Sequence, residues 1–158
     1  MKKIVTTLAA LALTVLPGLA RADRTPANLR GFTSVCVNGS FAERDQEDEK
    51  VLTDLLGRVV QKLEAAGIQV QDNPCQPGGT VAQRQLNLFY TFETTQSGTV
   101  YSADLEGWLS RQDTLESVTL WDNGYFGELK GNGALKAADV LDTLLANFLA
   151  DWRTAHPK

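Results

Sequence analysis

Asp104 and Glu106 are the residues best placed to do chemistry in this sequence. They lie two apart, and side chains alternate along an extended strand, so both face the same way. Two carboxyls on one face can divide acid and base work if burial raises the pKa of one, as a hydrolase needs. Their neighbours are polar, and the competing reading is a solvated outer face of a strand. Other reactive types are scarce. His156 is the sole histidine and sits in a His-Pro-Lys terminus, which reads as a solvated tail. A nucleophilic triad therefore lacks its base. One His with two Cys is also too little for a nitrogen- or sulfur-rich metal site. The Gly78-Gly79 pair reads as a turn, not as a phosphate loop. No catalytic residue, metal or cofactor is assigned.

The elements that must position these residues emerge from periodicity. Phe32–Asn38 alternates and is rich in β-formers, so it reads as the first strand. Val51, Leu52, Leu55, Leu56, Val59, Val60 and Leu63 recur at helical spacing, and Gly67 supplies the stop. Glu43, Asp45, Glu47, Asp48 and Glu49 precede or open this helix. Carboxylates there favour the positive end of the helix dipole, and no calcium-loop spacing accompanies them. Ile68–Gln71 is a short second strand, parallel to the first by the β-α-β rule. Asp72–Gly79 is a loop. Leu86–Phe92, Tyr101–Glu106 and Leu115–Trp121 are three further strands, with turns at Gln96–Gly98, Asn123-Gly124 and Gly131–Gly133. Leu135, Ala138, Leu141, Leu144, Leu145, Phe148, Leu149 and Trp152 form the stripe of a final helix.

The expected fold is α/β of the α+β kind. It is a two-layer sandwich with about five strands, mainly antiparallel, and two helices on one face, in the order β-α-β-β-β-β-α. Strand order stays open between two solutions. The second strand can hairpin into the third, or the Cys75 loop can cross the end of the first strand and put the third on its far side. This order of elements resembles small periplasmic accessory domains such as the amino-terminal domain of TolB-type envelope proteins. The resemblance covers topology alone.

If Val35, Leu88, Leu105 and Leu120 face the helices, the other face carries Cys36, Asn87, Phe89, Ser102, Asp104, Glu106, Trp108, Thr119 and Trp121. Phe89, Asp104, Glu106, Trp108 and Trp121 are the candidate binding residues, because aromatic anchors among polar groups suit a partner surface. The competing reading is local packing at the sheet edge. Asn38-Gly39-Ser40 fits a glycosylation triplet, which a bacterial export context makes a coincidence.

Residues 1–22 have the pattern of a cleavable secretory signal. Lys2 and Lys3 precede a 13-residue apolar run, Ile4–Leu16, then Pro17-Gly18 and Ala20-Arg21-Ala22. The run is shorter than the roughly 20 residues that span a bilayer. No cysteine stands just after it for lipid attachment. The mature chain then starts near Asp23, with 23–31 as a flexible lead-in and 32–158 as a single domain. The signal carries Lys2, Lys3, Arg21 and no acid, so its removal takes the chain from net −4 to −7 over 136 residues. Such a chain is repelled by nucleic acid and by anionic lipid, and stable membrane insertion after cleavage is not expected. In an oxidising compartment Cys36 and Cys75 are expected as a disulfide. Its loop of about 40 residues is worth roughly 4 kcal/mol on the chain-entropy model.

These features point to a periplasmic or secreted, non-enzymatic binding or envelope accessory module, with an envelope protein or a second copy as partner. The alternatives are a carboxylate hydrolase at Asp104 and Glu106, or a structural homodimer packed through the sheet face.

Overall fold

A computed structural model describes residues 20–71, 84–111 and 116–158. The elements run β1 (Ala20–Asp23), a 3-10 turn (Pro26–Leu29), β2 (Ser34–Glu43), β3 (Gln46–Glu47) and α1 (Glu49–Ala65). Then come β4 (Gln69–Val70), β5 (Gln85–Thr94), β6 (Val100–Arg111), β7 (Glu116–Glu128) and α2 (Gly133–Ala155). This is the α+β fold and the element order read from the sequence, with short β1 and β3 added.

The sheet runs β1-β7-β6-β5-β2-β3, with β4 also on β2. It is mixed. β2 pairs in parallel with both β4 and β5, and the other pairs are antiparallel. Ser34 and Val35 pair with Gln69 and Val70 of β4 and also with Gln85 and Leu86 of β5. A strand has two edges, so β4 and β5 lie on opposite sides of β2. The chain takes the second of the two strand orders, with β5 on the far side of β2 from β4.

Three local features set the frame. β2 extends to Glu43 because Asn38-Gly39-Ser40 stays in the strand, where any Cβ on Gly39 would strike the Tyr90 carbonyl. Arg44 and Asp45 both take positive φ and turn β2 into β3, as two-residue hairpins require. The acidic run is thereby divided. Asp48 caps α1 by accepting from the Val51 N–H at 3.0 Å, and Glu43 lies against Gly133 at the start of α2.

Both helices bury their apolar stripes on one sheet face. Leu55, Val59 and Leu63 of α1 meet Val140, Leu141, Leu144, Leu145 and Phe148 of α2 over Val35, Val37, Leu86, Leu88 and Leu105. Phe41, Phe92 and Tyr101 stack across three strands at 5.5 and 5.7 Å. The Tyr90 phenol donates to the Ala137 carbonyl at 2.9 Å, and burial, with Asp104 and Tyr101 adding, holds it well above the ordinary range. Leu135 is the exception to the α2 stripe and is exposed.

Residues 23–31 pack onto this layer. Leu29 is fully buried. Arg24 grips Asp151 of α2 through two hydrogen bonds of 2.7 and 2.9 Å. His156 is not a solvated tail. Its ring bonds the Trp152 and Phe32 carbonyls at 2.9 and 2.8 Å and stacks on Trp152. The Trp152 carbonyl, in the last turn of α2, also accepts from the His156 main-chain N–H at 3.0 Å, and a neutral imidazole donates through one of its two nitrogens only.

Candidate functional site

Strand registry lays the open face out in rows across β5, β6 and β7. Asn87, Trp108 and Thr119 form one row; Phe89, Glu106 and Asp122 the next; Thr91, Asp104 and Gly124 the third; Glu93, Ser102 and Phe126 the last. Four of the five candidate binding residues, Phe89, Asp104, Glu106 and Trp108, are thus brought together, and all four are half-buried.

Trp121 is not among them. Gly107 pairs with Trp121 and Trp108 with Thr119, so Leu120 is an extra residue in β7. One extra residue reverses the alternation beyond it. The Trp121 ring therefore points under the helices, at 0 % exposure, edge-on to Phe148 at 5.1 Å. Its indole N–H donates to Asp151 at 2.9 Å. Burial alone would raise the Asp151 carboxyl. The hydrogen bonds from Arg24 and Trp121, with the Arg24 charge, outweigh it and hold the carboxyl below its ordinary range.

The same bulge builds a recess of about 400 Å³ on the open side, lined by Asp23, Asn28, Asp104, Glu106, Thr119, Leu120, Trp121 and Asp122. The Leu120 carbonyl accepts from the Asn28 side chain at 2.8 Å. The Asp23 main-chain N–H donates to the Asp122 carboxylate at 2.7 Å. Asp104 accepts from the Ser102 hydroxyl at 3.1 Å. A Cβ on Gly124 would collide with the Asp104 carboxylate, so glycine there lets that carboxylate lie over β7. Glu106 and Asp122 stand directly opposite across the strands, a placement in which like charges weaken a sheet. The recess thus gathers carboxylates beside Trp108 and Phe89. Among the described residues, no group of three His, Cys, Asp or Glu is placed to share a metal ion.

Asp122 escaped the sequence reading because Asp122-Asn123-Gly124 has turn composition, yet it runs inside β7. Asp23 and Asn28 escaped because nothing local ties them to residues a hundred positions away. Cys36 is fully buried on this face and is not a free thiol. Cys75 lies outside the described residues. Among the described residues, no helix is long and apolar enough to cross a membrane.

No family model matches the chain, and no curated protein matches it. Solved structures do. The PelC dodecamer from Paraburkholderia phytofirmans aligns with TM-score 0.51 at 17 % identity, over 85 % of this chain and 96 % of that one. A point variant of the same dodecamer aligns at 0.52 and 16 %, over 84 % and 97 %. A DUF4136 family protein from Bacteroides thetaiotaomicron aligns at 0.53 and 10 %, over 85 % and 95 %. At these identities the likeness is one of fold.

Proposed function

We propose that this protein is an exported, non-enzymatic accessory module of the bacterial envelope that binds a protein partner through the open face of its sheet and works as an assembly of copies. The observation that carries the reading is the recess itself. It sets Glu106 opposite Asp122, with Asp104 on the next row, and strand registry puts Phe89 and Trp108 on the same face alongside. A basic group of a partner meets several carboxylates there at once, and Trp108 and Phe89 offer apolar contact beside it. Export rests on the charged-apolar-small pattern of residues 1–22. Assembly draws support from the dodecameric state of one solved protein of similar fold, seen also in its point variant.

The test uses the mature protein and its Trp108→Ala/Glu106→Gln variant as baits on an envelope extract. A protein held by the first and released by the folded variant supports the reading. Equal retention removes this face from the function. The Cys36–Cys75 disulfide belongs to the same proposal. The exported protein, alkylated without reductant, should show no added mass at cysteine.

A second reading, a carboxylate hydrolase, draws on the recess around Asp104 and Glu106. It requires one of the two to titrate well above the ordinary carboxyl range, and an NMR titration with both at ordinary values ends it.

A further inference from the structure

Residues 23–28 hold β7 from the side of the recess. The Asp23 main-chain N–H donates to the Asp122 carboxylate at 2.7 Å, and the Asn28 side chain to the Leu120 carbonyl at 2.8 Å. The residues after Asp23 fix its place. Arg24 is paired with Asp151 and also donates to the Asn147 carbonyl at 3.3 Å. The Thr25 hydroxyl donates to the Asp23 carboxylate at 3.2 Å, and Leu29 is fully buried. None of these contacts uses residues 20–22. A chain end ordinarily frays, but here the residue next to it is already tied to α2.

The Asp23 nitrogen is also the atom that signal cleavage frees. Hydrolysis of the Ala22–Asp23 amide consumes one water. Ala22 leaves with the new carboxylate, and the Asp23 nitrogen becomes an ammonium with three N–H donors where the amide had one. The neighbourhood suits that charge. Asp23, Asp104, Glu106 and Asp122 line the recess, and among the described residues its lining contains no Lys, Arg or His. Arg24, the nearest cation along the chain, is committed to Asp151. Glu106 stands opposite Asp122 across β6 and β7, so a positive charge beside Asp122 relieves a like-charge pair. A charged donor also bonds a carboxylate more strongly than an amide does.

We infer that cleavage after Ala22 converts the Asp23 N–H contact into an ion pair between the new α-ammonium and the Asp122 carboxylate, which locks the processed N-terminus into the recess. The uncut chain has the hydrogen bond without the charge, so the lock belongs to the mature form alone. The inference rests on the export reading and deepens the binding proposal. Asp122 is matched from within the chain, and Glu106 and Asp104 are the carboxylates that a basic group of a partner meets.

The experiment starts from the processed protein purified from exporting cells. Its mass reads the cut site first, and a chain that does not begin at Asp23 overturns the processing step, whatever follows. The Asp23 chain is then compared with its α-acetylated form, and each with its Asp122→Asn counterpart, by chemical denaturation near pH 7. Acetylation changes no side chain and keeps one N–H on the Asp23 nitrogen, so the comparison reads the charge. Blocking the amine should lower the folded-to-unfolded ratio by about fivefold with Asp122 present, and by less than about twofold with Asn there. The pH dependence has a definite sign. An ammonium held by a carboxylate titrates higher in the folded chain than in the unfolded one. Its stabilisation is complete below the unfolded value of about 8 and is lost as pH rises through the folded value. The acetylated form should lack this alkaline loss. Equal stability of the free and acetylated chains near pH 7 overturns the inference, as does a loss on acetylation that persists in Asp122→Asn. The acetylation and pH arms need no substituted protein, so they decide the matter even where Asp122→Asn fails to fold.

Discussion

Asp151 enters the helix-covered layer only with Arg24 and Trp121 both donating to it, whereas Glu106 and Asp122 on the open face stand opposite one another, half-exposed. A buried carboxylate without donors would cost several kcal/mol, so under the helices the charge is matched. On the open face both carboxylates keep partial contact with water, which screens their mutual repulsion, and Asp122 also accepts from the Asp23 main-chain N–H. Neighbouring residues of one strand, Trp121 and Asp122, thus belong to different tasks. One fastens the helix layer and the other shapes the recess.

The largest test of that division is Phe148→Ala. It deletes a fully buried ring packed between Trp121 and Trp152, and chemical denaturation should show a loss of about 3–5 kcal/mol. A loss near that of a surface change would mean the layer is packed loosely. Asp151→Asn comes next, at about 2 kcal/mol, because Arg24 and Trp121 lose the charge they share. Its pH dependence has a definite sign. The folded carboxyl titrates below the unfolded one, so the stabilisation is complete above the unfolded value of about 4 and fades as pH falls through the lower folded value. The gap between wild type and Asp151→Asn should therefore close in acid. A gap that stays constant to low pH would take the ion pair out of the account.

Gly124→Ala sharpens the comparison from the other side. The new methyl displaces the Asp104 carboxylate, with an expected loss of about 1–3 kcal/mol from overpacking. A thermal melt within error of wild type would show that Asp104 has room to move. Glu106→Gln is the smallest change. It removes one of two opposed charges, should leave stability within about 0.5 kcal/mol, and should still weaken partner binding. Substantial unfolding of this variant would make the open face structural.

Most of the fold was legible in local pattern. The α1 and α2 stripes, the Gly67 stop and the alternation of Leu86–Phe92 each reflect a period that a window of about ten residues contains. The candidate site was half legible. Asp104, Glu106, Trp108 and Phe89 share a face because alternation is local. Trp121 was assigned to the wrong side because the bulge at Leu120 is a mismatch between two strands, and β7 alone carries no sign of it. Asn123-Gly124 misled for a related reason. Turn composition is a preference, and Gly124 serves instead as clearance for a side chain from the adjacent strand.

The sequence by itself determined the helices, the main strands, the shared face of four site residues and the export pattern of residues 1–22. These depend on side-chain periodicity and composition, which neighbours in the chain decide. Only the tertiary structure decided that β4 and β5 flank β2, that Trp121 turns under α2, and that Asp23, Asn28 and Asp122 close a recess around Glu106. Those outcomes depend on which backbone edges meet, and that is settled by packing between residues far apart in the chain.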